Sequence, residues 1–119
     1  MRYMLLIYGE EQGLTQSDAE ICYDESTKLA HDLQAKGKYV DAAPLHPTRT
    51  ATSVRVRDGQ RLVTDGPFAE TREQLGGYFI VDADDLDDAI CIAEKLPMAK
   101  RGTVEIRPLI PIPGLPDGS

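Results

Sequence analysis

The sequence predicts an α+β sandwich, two helices laid on one face of a mostly antiparallel sheet, and three observations lead to it. Short apolar runs rich in strand formers alternate with amphipathic stretches in the order strand, helix, strand, strand, helix, strand. Two short segments flanking Asp58-Gly59 read as a hairpin inserted ahead of the third of these strands. The runs at residues 2–8 and 78–81 are apolar on both alternating faces, as strands in the middle of a covered sheet are. Right-handed crossovers then place both helices on the same face, which is the ferredoxin-like βαββαβ arrangement with an inserted β-hairpin.

The first run, Arg2-Tyr3-Met4-Leu5-Leu6-Ile7-Tyr8, stops at Gly9 and is too short for a helix, so it reads as a central strand. Over residues 17–36, Ala19, Cys22, Ser26, Leu29, Ala30 and Leu33 recur along one stripe of an amphipathic helix. Ser17 and Glu20 have capping-box spacing at its start, and Gly37 sits where a helix turns left-handed and ends. Residues 38–43 form a second strand, broken by Pro44-Leu45-His46-Pro47 because proline cannot donate to a ladder. Residues 51–57 and 61–64 pair across Asp58-Gly59, which supplies the positive backbone angles of a tight turn.

Asp65-Gly66-Pro67-Phe68 is turn chemistry, and residues 69–75 have the length of about two helical turns, closed by Gly76-Gly77. Tyr78-Phe79-Ile80-Val81 is the next strand. Asp82, Asp84, Asp85, Asp87 and Asp88 gather where a second helix begins, at the end of its dipole that favours negative charge. Leu86, Ala89, Ile90, Ala93 and Leu96 give that helix its buried stripe and Pro97 its stop; a last strand spans 103–109. The chain thus divides into a domain of residues 1–109 and a proline-rich tail of residues 110–119, extended and partly mobile rather than helical.

With 119 residues, 41% hydrophobic and 28% charged, the chain fits one globular domain rather than a multidomain enzyme or a disordered acidic tail. The net charge of −7 repels a phosphate backbone and argues against direct nucleic-acid binding. No apolar stretch approaches the length of a membrane span, and Cys22 and Cys91 stand far apart, as reduced thiols of a cytoplasmic protein do. Two helices cover only one face of the sheet, so its other apolar face needs a second cover. A second copy of the chain, giving a homodimer, is the expected one; the inserted hairpin and the tail are the alternative.

The run Asp65-Gly66-Pro67-Phe68-Ala69-Glu70-Thr71-Arg72-Glu73-Gln74-Leu75-Gly76-Gly77-Tyr78 resembles the signature of the DGPF branch of YCII-related proteins. The likeness extends to residues 2–8, to the hairpin around Asp58-Gly59 and to Gly102-Thr103-Val104-Glu105-Ile106-Arg107-Pro108. It implies a ferredoxin-like fold dimerising into an α/β barrel, and genes that often neighbour those of extracytoplasmic-function sigma factors. It fixes no reaction. Other YCII-like proteins are proposed as lyase-type or dehalogenase-type enzymes that use a first-helix histidine with an aspartate. Here Ser26 and Thr27 stand where that histidine is looked for, so the pair is not carried over.

Asp65 is the first candidate for a catalytic carboxylate, because a turn ahead of Pro67 can aim it into a cleft; ordinary turn hydrogen bonding is the alternative. His46, in its proline-flanked loop, is the better placed of the two histidines to reach a cleft as a proton carrier, with an ordinary surface loop histidine the default, whereas His31 is placed on the polar side of the first helix. Phe68, Tyr8 and Tyr78 are candidates for a ligand-binding wall; the default is a core or interface anchor for Phe68 and a core residue with its hydroxyl satisfied for each tyrosine. Arg49, with Arg55, Arg57 and Arg61, concentrates positive charge around the hairpin and suits an anionic ligand, an acidic partner or a solvated strand face. Arg72 and Glu73 fall on the two-turn helix, with solvation the default. No cofactor fingerprint is present, and the two histidines do not have the spacing of a metal site.

Overall fold

Strand β1 (Arg2–Gly9) organises the structure, a computed structural model that describes residues 1–116. Its side chains alternate as a pleated strand requires: Tyr3 and Leu5 are buried on one face, while Met4 and Leu6 are half-buried on the other. β1 pairs antiparallel with β5 (Gln74–Asp82) on one side and with β6 (Thr103–Pro108) on the other, bringing Leu5 between Phe79 and Ile106. β2 (Tyr39–Pro44) pairs antiparallel with the outer edge of β5, so the strand order is β2-β5-β1-β6. That order with α1 (Gln16–Ala35) between β1 and β2, and α2 (Leu86–Glu94) between β5 and β6, is the ferredoxin-like arrangement.

The core lies between this sheet and the two helices. Leu29 and Leu33 of α1, and Ala89, Ile92 and Ala93 of α2, pack on Tyr3, Leu5, Phe79 and Val81, with Leu96 sealing the end. The edge of the Tyr39 ring meets the face of Phe79 at a centroid distance of 6.5 Å. α1 is capped by Thr15, whose Oγ1 accepts the Asp18 N–H at 3.1 Å while the Asp18 carboxylate accepts the Thr15 N–H at 3.3 Å. The capping box is therefore Thr15/Asp18, two residues upstream of the expected Ser17/Glu20, and it places a carboxylate in the first turn. Gly37 adopts the expected left-handed conformation at the other end, with φ 72°.

Two further expectations are corrected. Residues 69–75 form no helix: side-chain bonds from Thr71 to the Glu73 carbonyl and from Gln74 to the Thr71 carbonyl hold a bent segment, and β5 begins at Gln74. A two-turn helix is below the length that overcomes its nucleation cost, and strand pairing with β1 offers the backbone more. In α2, Ile92 rather than Ile90 and Leu86 joins Ala89, Ala93 and Leu96 on the core face, as residues three and four apart on a helix share one face; Leu86 and Ile90 are exposed.

The inserted hairpin joins β3 (Thr52–Arg57) to β4 (Gln60–Asp65) through Asp58 and Gly59 at φ 52° and 74°. It forms a sheet of its own and stands away from the body. The radius of gyration of 16.0 Å exceeds the about 13.5 Å expected of a compact domain this long, as a projecting arm requires. The tail runs on past β6 with Ile110, Ile112 and Leu115 exposed; its last residues, 117–119, lie outside the described residues. Among the described residues no helix is long and apolar enough to cross a membrane.

Candidate functional site

Small side chains on both sides of the α1–sheet contact leave a cleft. The helix contributes Ser26 and Ala30 where larger residues would close the gap, and the strands contribute Ala42, Ala43, Gly76 and Gly77, so a volume of about 400 Å³ stays open. Gly77 suits this spot, because a Cβ would sit 3.0 Å from the Ala43 carbonyl oxygen and 3.2 Å from Pro44 Cα, so β2 would have to yield slightly from β5. Ile7, Tyr39, Phe79 and Met98 line it with apolar surface. Tyr23, Thr27, His31 and Gln34, exposed on the same helical stripe, supply polar groups at its mouth. Among the described residues no Asp, Glu, Lys or Arg side chain lines it, which suits a neutral ligand.

Cys22 lies in the wall, and burial, the leading cause, pushes its thiol above the ordinary range despite the opposing charge of Arg101. It is thus a neutral apolar group rather than a nucleophile at physiological pH. Thr27 spends its hydroxyl proton on the Tyr23 carbonyl one turn back, at 2.7 Å, which leaves its oxygen free to accept. The imidazole of His31 offers both a donor and an acceptor.

The opposite face of the sheet has an apolar centre, Met4, Leu6, Tyr78 and Ile80, all half-buried, and among the described residues the valines of the hairpin and Ile110, Ile112 and Leu115 of the tail are exposed rather than buried against it. Two of the expected tyrosines are here. The Tyr8 hydroxyl donates to Glu105 at 3.4 Å, and the Tyr78 hydroxyl to Asp41 at 3.4 Å. The Asp41 charge, foremost, raises the Tyr78 phenol above its ordinary value, so the proton stays on the oxygen. Tyr78 also borders the cleft through the strand it sits on; Tyr8 does not.

The other candidate residues are dispersed. Asp65 ends β4 opposite Thr52, exposed and outside the cleft, and His46 is exposed in the loop after β2. Phe68 is 77% exposed, with the Arg55 guanidinium 4.8 Å above its ring, and Arg49 is exposed in the one-turn 3-10 segment ahead of β3. Arg72 pairs with Glu10 at 3.1 Å, and Glu73 accepts the Thr103 hydroxyl at 2.8 Å. The cleft histidine is thus His31 rather than His46. Its signal in the sequence was the helical recurrence of Tyr23, Thr27, His31 and Gln34 beside a stripe interrupted by Ser26.

Residues 1–113 match the YCII-related domain. An uncharacterised protein of Rhizobium meliloti (strain 1021) is 38% identical over 118 residues, covering 92% of each chain.

Proposed function

The chain belongs to the YCII-related family, and on that premise we propose that it works as a small homodimer that binds a neutral, largely apolar small molecule in the cleft between α1 and the β2–β5 side of the sheet. The observation that carries this reading is the cleft itself. Its volume of about 400 Å³ lies within the range of ligand sites, about 300–1,000 Å³. Apolar walls with a few polar groups at the mouth are what fixes the orientation of such a ligand. Within the family we place the chain in the branch marked by Asp65-Gly66-Pro67-Phe68. Lyase-type or dehalogenase-type chemistry in the cleft would draw its proton carrier from His31. Asp65 and His46 enter it only where assembly brings them to a second copy's cleft.

The test is a thermal-shift screen with neutral aromatic fragments against the wild type and Thr27→Trp, which fills the mouth at an exposed position. The expected hit raises the melting temperature of the wild type alone and slows thiol labelling of Cys22 while leaving exposed Cys91 unchanged. Fragments that stabilise both proteins equally, or shield neither thiol, overturn the reading.

A second reading, a non-catalytic module that binds a partner beside an extracytoplasmic-function sigma factor, draws on the exposed apolar residues of the hairpin. It requires a partner of different sequence on that surface.

A further inference from the structure

The hairpin β3–β4 carries the wrong surface for a free-standing arm. Val54 and Val63 face each other across the pair and share a face with Val56, and these are 62%, 55% and 62% exposed. A two-stranded hairpin alone in water is marginal at best. Yet its root is fixed: the Gly66 N–H donates to the Ala51 carbonyl, Ser53 Oγ donates to the Gly66 carbonyl, and Glu11 holds Thr48. The arm is held out from the body with its valines unpartnered.

Its charge names the partner. Residues 48–66 hold four arginines against Asp58 and Asp65, a balance of +2; the remaining nine cations and eighteen acids give the rest of the chain −9. Each copy therefore has a basic, apolar arm and an acidic body, the self-complementarity that a two-fold interface needs. The open sheet face repeats the match, since its apolar centre is flanked by Asp41 on one edge strand and Glu105 on the other.

We infer that the hairpin is a clasp for a second copy of this chain, laying its valine face on the rim of the partner's open sheet face so that Arg61, which pairs with Val56 and shares that face, meets the carboxylates there. This rests on the homodimer in the proposed function and specifies how it is held.

Sedimentation at low and high salt, with a photo-cross-linker at position 56 in mixed heavy-isotope and ordinary protein, tests it. The wild type is expected to be a dimer that weakens with salt. Val54→Asp with Val63→Asp, and separately Arg61→Glu, should each raise the dissociation constant at least about tenfold with the circular dichroism unchanged. Cross-links should join the arm of one isotope to β2 or β6, the edge strands, of the other. A dimer of unaltered strength in both variants, with cross-links confined to one chain, overturns the clasp and leaves the homodimer standing. A monomer at every concentration overturns both, as does an arm that cross-links only to another protein of a cell extract.

Discussion

Glu11 grips Thr48 with both carboxylate oxygens: Oε1 accepts the Thr48 backbone N–H at 2.8 Å and Oε2 accepts its hydroxyl at 3.0 Å. Next to it, Glu10 pairs with Arg72 on the far side of the inserted segment. The turn after β1 thus holds both ends of an insertion that the core does not touch, and it sets the direction in which the hairpin leaves the body.

Glu11→Ala should therefore loosen the arm without unfolding the domain. Amide exchange across residues 48–66 is expected to quicken by about tenfold, the scale of two lost hydrogen bonds at an exposed site. Exchange in β1 and β5 should stay as it was, because the core residues are untouched. Equal acceleration everywhere would show that Glu11 supports global stability instead.

The acid limb of stability should depend on Asp88. Lys38 Nζ lies against Asp88 Oδ2 and 3.6 Å from Asp84, and these groups tie the start of β2 to α2. The hydrogen bond from Lys38, foremost, and that from the Asp84 N–H hold the Asp88 carboxyl below its ordinary value of 3.8. The unfolded chain takes up this proton first as pH falls, so the stabilisation is present above 3.8 and lost on descent through the lower folded value. Lys38, raised above 10.5 chiefly by the same bond, keeps its stabilisation below that pH and loses it on ascent through the folded value. Asp88→Asn should lower the melting temperature at neutral pH and flatten its fall at both extremes. An unchanged pH profile in calorimetry would falsify the assignment.

Gly102 is fixed by a close approach rather than by its backbone angle. A Cβ there would come within 2.0 Å of the Tyr8 carbonyl oxygen and 3.0 Å of Gly9 Cα, both backbone atoms that cannot rotate aside. Gly102→Ala should cost about 2 kcal/mol or more by forcing β6 away from β1. Gly13→Ala, at a position with open space, is the control and should shift the denaturation midpoint little. Similar midpoints for the two variants would contradict the crowding.

The four-stranded sheet, both helices and the hairpin turn were legible because each rests on local signals: the short run of strand formers at residues 2–8, apolar on both faces, the α1 stripe, Asp58-Gly59. The false helix at 69–75 arose because Glu70, Arg72 and Gln74 are good helix formers, while the pairing that pulls Gln74 and Leu75 into β5 is with β1, more than sixty positions upstream. The cleft was harder still. It is made by what is missing, the volume absent at Ser26, Ala42 and Gly77, and two segments distant in sequence must be superposed before their smallness becomes a space. His46 and Asp65 were singled out by residue type and lie outside the cleft, whereas His31 joins its lining by its rotation on α1.

The two cysteines offer a direct reading of that packing. Cys22 is buried at the cleft wall and Cys91 is exposed on α2. Desolvation, with smaller contributions from Glu25 and Asp18, raises the Cys22 thiol, and Arg101 offsets this only in part. In Cys91→Ser, the remaining thiol should react at least about tenfold more slowly with an aromatic disulfide reagent than in urea, since both access and thiolate fraction are reduced. Its rate should keep climbing with pH beyond the ordinary thiol range. Substituting Arg101→Gln removes the one cation that stabilises the thiolate, so labelling should slow further, whereas an effect of access alone would leave the pH profile in place. Labelling of Cys22 at the urea rate in native buffer would mean that the cleft wall is open, and the small-residue account of the cavity would fall with it.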